Sequence, residues 1–328
     1  MWRSIFEKFL RRLDYSPKRA YASKRVEYET EIMIMKKCLI FNLIVALLFN
    51  CNHTNKKVVM DADYLSMLNQ NRELRSENRV KYLELAGLFK LDSISNSFGK
   101  AASNRFVLNI DYLPPSIGSI HLSEKGLKFQ ASKNIKVSTE TGDQIETLAL
   151  PIDAFGNSVQ LTYKALKWQV ITRSGALYLR VWDSKNPAIN AFEGFKSYDI
   201  NSDFIFDANF NYFETAQQET VASKLGVNEV TNFIGQVHFT YKNTPYSLDI
   251  GSQGFLMVGD LTSGETTYGG GRYMYLELPE VDGRLTLDFN YLYNPPCAFS
   301  EFTTCLYPPR QNLVPFKIEA GELLEKDL

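Results

Sequence analysis

The side chains of this sequence that are best suited to chemistry lie between residues 260 and 294. The candidates for contacting a ligand are Asp260, Tyr268, Arg272, Asp288, Asn290, Tyr293 and Asn294. A carboxylate there could act as a general base, and a guanidinium can clamp a carboxylate or phosphate through two parallel hydrogen bonds. The glycines at 269–271 would let backbone amides approach an anion closely. The block therefore predicts a site for a small polar or anionic ligand.

A structural interpretation of the same block remains open. A run of glycines is typical of a turn with positive φ, and Arg272 could pair with one of three carboxylates, those of Asp260, Asp282 and Asp288. Asp288 and Asn290 are two residues apart, so a strand would place them on one face. There they could line a polar cleft, or they could cap the loop that follows.

The sequence favours binding over catalysis. A hydrolase could use Asp288 or Asp260 as its base and Arg272 as its electrostatic stabiliser, and this is the alternative function. No serine lies in a Gly-x-Ser-x-Gly elbow, and the glycine run lacks the lysine of a P-loop. The sequence contains no cofactor motif, so no cofactor is expected.

Two cysteines close to this block predict a disulfide. Cys297 and Cys305 bound a short loop, and such a pair in an exported protein commonly bridges and restricts the unfolded chain. A zinc site would need three or four ligands, but the chain has only three histidines, at positions 53, 121 and 238. No metal ligand is assigned, and two free thiols or a catalytic or metal-binding cysteine remain the alternatives.

The stretch 33–52 predicts where the protein resides. A pair of lysines precedes a 12-residue apolar segment, 38–49, which has the layout of a secretory signal and is too short to span a membrane. Its end, Leu47–Cys51, resembles a bacterial lipobox, which implies that Cys51 carries lipid such as palmitate. We therefore expect a lipoprotein of the cell envelope, anchored in a membrane and facing away from the cytoplasm. A buried core helix or an uncleaved anchor is the alternative.

Residues 1–32 precede this signal and differ from it in composition. They carry eight Lys or Arg, one proline and no glycine. This composition indicates an upstream extension, so that residues 1–50 as a whole would be absent from the mature protein. The alternative is a basic amphipathic helix, whose apolar face would consist of Trp2, Ile5, Phe6, Phe9, Leu10 and Leu13.

The charge of the remaining chain excludes one class of partner. The first 50 residues hold ten Lys or Arg and five Asp or Glu, which leaves 26 basic and 32 acidic residues. Nucleic-acid binding requires a basic face, so no nucleic-acid partner is expected. The expected partners are the membrane, through the lipid anchor, and the small polar or anionic ligand.

A helix is predicted at the start of the mature body. Residues 51–60 have the composition of a tether, and residues 61–86 are rich in Leu, Glu and Arg and contain no proline or glycine. Asp61 or Asp63 would cap the beginning of this helix, and Gly87 would end it.

The rest of the chain predicts β structure. Apolar residues alternate in short segments between Gly, Asn, Ser and Pro, which is typical of a β-sandwich or barrel. The predicted strands include Arg105–Ile110, Phe204–Phe213, Glu219–Ala222 and Val314–Glu319. We expect a mainly β protein, with the helix and a small β-sandwich over 61–155 and a larger β-sandwich or barrel over 156–328.

Several motifs of the C-terminal third occur in an order typical of one family. They are Asp260–Gly264, Thr267–Arg272, Leu287–Asn290, Tyr293–Phe299, Cys305, Pro308–Pro309, Asn312 and Ala320–Glu322. Together they resemble the signature of the DUF1684 family, a group of bacterial proteins of unknown function. With an opening motif near Leu85–Phe89, the resemblance runs from about Asn71 to Glu322. It implies no established reaction.

A weaker resemblance concerns the first β region. Phe98–Gly99, Asn104, Phe106–Leu108 and His121 look like the start of a forkhead-associated β-sandwich, which implies a phosphothreonine-binding fold. Lys100 follows the glycine where that family has Arg, and Gly118 stands where it has the ligand-binding Ser. The resemblance therefore predicts the sandwich fold rather than phosphopeptide binding.

Overall fold

The structure is a computed structural model that describes residues 60–226 and 228–324. The predicted signal and Cys51 lie outside these residues. The described chain is mainly β with one long N-terminal helix, which confirms the predicted fold class. Among the described residues, no helix has the length and apolar character needed to cross a membrane.

Helix α1 spans Ala62–Val80, and its cap agrees with the sequence. The side chain of Asp61 accepts a hydrogen bond from the backbone N–H of Tyr64 at 2.9 Å, which satisfies one of the free donors of the first turn. The helix ends earlier than predicted, in a 3-10 turn over Lys81–Glu84. Leu85 then pairs with Trp182 in a sheet, and this pairing ends the helix before Gly87.

Two antiparallel sheets follow α1 and enclose one core. The six-stranded sheet contains, in order, β1 (Leu85–Lys90), β11 (Ala176–Asp183), β10 (Leu166–Arg173), β9 (Leu161–Tyr163), β6 (Val137–Thr139) and β7 (Gln144–Ile145). The five-stranded sheet contains β3 (Phe106–Val107), β2 (Ser95–Gly99), β4 (Gly118–Ser123), β5 (Gly126–Ala131) and β8 (Thr147–Ala149), with one parallel pair, β2 and β3.

Aromatic side chains from both sheets meet in this first core. Phe98 and Phe129 of the five-stranded sheet contact Trp168 of the six-stranded sheet, with ring centroids 5.3 and 5.7 Å from the Trp168 ring. The segment 150–158, where a lobe boundary is expected, connects strands that both contribute to this core. The domain division itself stays a prediction.

The C-terminal part has a sheet and a core of its own. After α2 (Pro187–Ala191), a four-stranded antiparallel sheet forms in the order β14 (Thr244–Gly251), β13 (Asn228–Tyr241), β12 (Ile205–Ala222) and β17 (Gly283–Asp288). A two-stranded pair, β15 (Phe255–Val258) and β16 (Arg272–Tyr275), packs on the same core. Phe210, Leu287 and Phe289 are fully buried there.

Three predicted strands differ from the structure for identifiable reasons. The segments Phe204–Phe213 and Glu219–Ala222 form one strand, β12, because an irregularity in its pairing between Tyr212 and Gln217 absorbs the polar interruption. The segment Val314–Glu319 is not a strand, because its backbone bonds to separate loops, as when Val314 N–H donates to the carbonyl of Gly259.

Candidate functional site

Arg272, the strongest sequence candidate for holding a ligand, is sealed inside the protein. It is the first residue of β16, and its Nη2 donates to Asp260 Oδ2 at 2.8 Å. The same guanidinium donates to the backbone carbonyls of Ile318 and Ala320. Both side chains of the ion pair have 0% exposure. Arg272 therefore holds the C-terminal segment against β16 and offers no donor to solvent.

Both carboxylate oxygens of Asp260 accept hydrogen bonds from within the protein. Its Oδ1 accepts hydrogen bonds from the N–H of Thr262 at 2.7 Å, from the Thr262 hydroxyl at 2.6 Å and from the N–H of Ile318 at 3.1 Å. Burial lowers the pKa of Arg272, and Asp260 opposes that shift. The geometry favours the structural interpretation of this pair over ligand contact.

The glycine run has a packing explanation. A Cβ on Gly270 would overlap the ring of Tyr268, and a Cβ on Gly271 would overlap Pro308. Gly271 also has a φ of +81°, which favours glycine. The backbone at 270–271 therefore packs so closely against neighbouring side chains that only glycine fits. Tyr268 itself packs in the cluster that contains the two cysteines, and burial raises its pKa.

Asp288 and Asn290 lie together at the end of β17, in contact with α1. Asp288 Oδ1 accepts from the N–H and the side-chain amide of Asn290, at 2.9 and 2.8 Å. Its Oδ2 accepts from the hydroxyl of Tyr64 at 2.7 Å. The Asn290 side chain also bonds to the backbone of Asn201. The Asn290 side chain thus joins Asp288 to the backbone at Asn201. Asp288 itself links the end of β17 to Tyr64 of α1.

Tyr293 and Asn294 follow Asn290 in the chain and lie beside another buried carboxylate, that of Glu322. Glu322 accepts from the N–H of Asn294 at 2.9 Å and forms an ion pair with Arg79 of α1. Tyr293 stands between two helix arginines, with Arg75 Cζ 4.3 Å from its ring centroid and Arg79 Cζ at 5.3 Å. Burial raises the pKa of Tyr293 to about 12.

The two cysteines are joined. Cys297 and Cys305 form a disulfide with their Cα atoms 6.1 Å apart. Both are buried, in a cluster with Phe233, Met257 and Tyr273. The bridge therefore fastens an irregular loop onto the C-terminal part, next to Tyr293.

A groove opens between α1 and the C-terminal sheet. It has a volume of about 790 Å³. Its lining combines helix residues with residues of β16, β17 and the segment between them: Tyr64, Met67, Asn71, Arg75, Ile205, Met274, Tyr275, Leu276, Glu277, Leu278, Pro279, Arg284, Leu285, Thr286, Asp288 and Tyr291. Of the candidates taken from the sequence, Asp288 alone is part of this lining.

The polar groups of the groove are partly desolvated. Burial raises the pKa of Asp288, although the hydrogen bonds from Tyr64 and Asn290 counteract it. Burial also raises the pKa of Tyr64 and lowers that of Arg75. Arg75 Nε donates to Asn71 at 2.6 Å within the helix. The groove therefore presents a guanidinium, phenols and a buried carboxyl group to the same space.

The sequence candidates are thus distributed over three places instead of one. Asp260 and Arg272 form the sealed pair, Asp288 and Asn290 end β17, and the remaining three surround the cysteine loop. Reasoning from the sequence missed Tyr64, Arg75 and Arg79, which lie about 200 residues upstream on α1. Their separations of 11 and 4 residues place them on one helix face, and this spacing was a signal that could have been used.

Within residues 60–226 and 228–324, no three His, Cys, Asp or Glu side chains come together as metal ligands would.

Comparison with known proteins supports the resemblance in the C-terminal part. Residues 190–323 match the family model described as "Protein of unknown function (DUF1684)". The match supports the DUF1684 family. It includes every candidate from Asp260 to Asn294, and it excludes α1. No curated protein matches the chain.

Solved structures are also similar to part of the chain. One of them is the solution NMR structure of an uncharacterized protein from Haloarcula marismortui, which is 25% identical. The similarity covers 43% of this chain and 82% of that one, with a TM-score of 0.37.

Proposed function

We propose that this protein is a membrane-anchored lipoprotein of the cell envelope that binds a small polar ligand with an anionic group in the groove beside α1. The anchor rests on the sequence layout of paired lysines, an apolar segment and Cys51. The ligand site rests on the groove itself. A volume of about 790 Å³ is in the range of small-molecule sites, roughly 300 to 1,000 Å³.

The lining suggests how such a ligand would lie. Arg75 is half-buried and stacks on Tyr293, so its guanidinium is held in place and partly desolvated. A guanidinium in that environment can bind a carboxylate or phosphate strongly. Tyr291 and Asn71 offer hydroxyl and amide groups to the rest of a polar ligand. The anion would thus bind at Arg75.

Binding accounts for the geometry better than hydrolysis does. A hydrolase that used Arg272 would need this guanidinium at the substrate, but both members of the Arg272–Asp260 pair are sealed. Asp288 does reach the groove, yet it already accepts three hydrogen bonds from Tyr64 and Asn290. The predicted hydrolase therefore lacks its stabiliser Arg272, and its candidate base Asp288 is already held by three hydrogen bonds.

The ligand proposal is tested with Arg75→Gln. A panel of phosphorylated, carboxylated and neutral sugars is titrated against the wild type by thermal shift and calorimetry. An anionic member should raise the wild-type midpoint, and Arg75→Gln should bind it about 10- to 100-fold more weakly, because a charged hydrogen bond is lost. Arg105→Gln, which removes an exposed partner of Asp92, is the matched control and should bind normally.

Two results would contradict this proposal. One is that Arg75→Gln binds the same ligands as tightly as the wild type, and the other is that no anionic member of the panel binds. The anchor is tested separately by mass spectrometry and membrane fractionation of Cys51→Ala. Loss of the lipid and release from the membrane are expected, and an unmodified wild-type chain that retains residues 1–50 would refute the anchor.

A further inference from the structure

The last turn of α1 inserts an arginine into the C-terminal part. Arg79 is the helix residue concerned, and its side chain is 7% exposed. Its Nη1 and Nη2 donate to the two carboxylate oxygens of Glu322. Nη1 also donates to the carbonyl of Asn294, and Nε donates to the carbonyl of Arg75, at 2.9 and 3.2 Å. The guanidinium is thus bound through both its edge and its Nε.

Aromatic rings surround the same guanidinium. Its Cζ lies 3.7 Å from the ring centroid of Phe195, 5.3 Å from that of Tyr293 and 5.9 Å from that of Phe299. Phe195 and Phe299 are in edge-to-face contact at 5.1 Å, which fixes the two rings relative to each other. Rings at these distances attract a cation through their electron-rich faces. Together with Glu322 they form an aromatic cage with a carboxylate at its base.

The cage and the group inside it belong to different parts of the chain. All four cage residues lie within 190–323, the part that matches the DUF1684 model. Arg79 lies outside that part, on α1. The disulfide of Cys297 and Cys305 holds the loop that carries Phe299. All four cage side chains therefore come from outside α1, and the helix adds only the carbonyl of Arg75 as an acceptor for the guanidinium.

We propose that Phe195, Tyr293, Phe299 and Glu322 form a guanidinium-binding site, which Arg79 fills as an internal ligand. This occupancy fixes α1 as one wall of the groove. The inference rests on the contacts of Arg79 alone, so it stands or falls independently of the proposed function. The bidentate contact and the stacked ring select a planar guanidinium over an ammonium, which is a point charge.

The test is chemical rescue of Arg79→Ala in the full chain. The probe is ethylguanidinium at millimolar concentrations, with thermal unfolding as the measurement. Arg79→Ala should be less stable than the wild type, and ethylguanidinium should raise its midpoint in a saturable manner. At ten times the Kd, the folded-to-unfolded ratio rises about 11-fold, which corresponds to roughly 3 to 5 °C. Ethylammonium should have no comparable effect.

Two controls separate the cage from general effects of the cation. The wild type and Arg105→Ala retain a filled cage, so neither should gain stability from ethylguanidinium. Arg79→Ala/Glu322→Gln removes the carboxylate, so its rescue should be lost. If Arg79→Ala is unfolded in buffer, ethylguanidinium should restore its folded near-UV circular dichroism. The proposal is overturned if ethylguanidinium gives no rescue, or if ethylammonium rescues equally well.

Discussion

Asp260 and Asp288 are buried carboxylates from the same sequence block, yet their surroundings differ. Asp260 is enclosed by Arg272 and by the backbone of the C-terminal segment, and its side chain has 0% exposure. Asp288 instead receives a hydroxyl from α1 and lines a groove. The comparison shows that one motif block contains both a buried structural ion pair, Arg272–Asp260, and a residue that lines the groove, Asp288.

The largest effect on stability is expected when the buried Arg272–Asp260 ion pair is broken. Arg272→Ala leaves Asp260 charged, buried and without its cation, so we expect a loss of roughly 3 to 5 kcal/mol in the free energy of unfolding. Urea unfolding measures it. The control is Arg105→Ala, which breaks an exposed pair with Asp92 and should cost about 0 to 1 kcal/mol. An Arg272→Ala midpoint close to the wild type would return Arg272 to the ligand candidates.

An intermediate effect is expected from the disulfide, which closes the loop between Cys297 and Cys305. Cys297→Ser and Cys305→Ser should each lower the free energy of unfolding by about 2 to 3 kcal/mol, because the unfolded chain regains the freedom of a short loop. Equal losses in the two variants, and an equal loss in the wild type under reductant, are expected. A much larger loss in only one variant would indicate a separate role for that thiol.

The smallest effect is expected at Asp288, where hydrogen bonds partly offset burial. The folded-state pKa lies above the ordinary value of 3.8, so the folded state holds the proton more tightly than the unfolded state. The resulting stability is present below pH 3.8 and is lost as the pH rises through the raised pKa.

Asp288→Asn removes this titration and isolates its effect. The stability of the wild type minus that of Asp288→Asn should fall as the pH rises, measured by thermal unfolding of both proteins across the acidic range. Asp111→Asn provides the matched control, because Asp111 is exposed and its pKa is lowered by Lys100. The stability of the wild type minus that of Asp111→Asn should therefore rise as the pH rises. A pH-independent difference for Asp288→Asn would mean that this carboxyl group is not desolvated.

The sequence predicts local features of this fold well. The Asp61 cap and the mainly β character follow from short-range rules, namely side-chain capping and alternating apolar residues. The end of α1 could not be predicted in this way, because Leu85 leaves the helix to pair with Trp182, a residue far along the chain. Tertiary pairing thus overrides local propensity there.

The candidate site was harder to predict than the fold. Residue type alone could not distinguish Arg272, which is sealed, from Arg75, which lines the groove. What separates them is burial, and burial depends on which distant segments cover each side chain. The spacing of the helix arginines could be seen in the sequence, but their partners in the C-terminal part lie more than 100 residues away.

The contacts of α1 also determine when the native state can form. Tyr64 bonds to a residue 224 positions later, and Arg79 to one 243 positions later. Contacts between residues so distant in sequence require closure of a very long loop, which slows folding. A chain still emerging from the ribosome therefore has no ion-pair partner for Arg79 until Glu322 is synthesised. Helix α1 can therefore gain its full set of native contacts only after Glu322 has been synthesised.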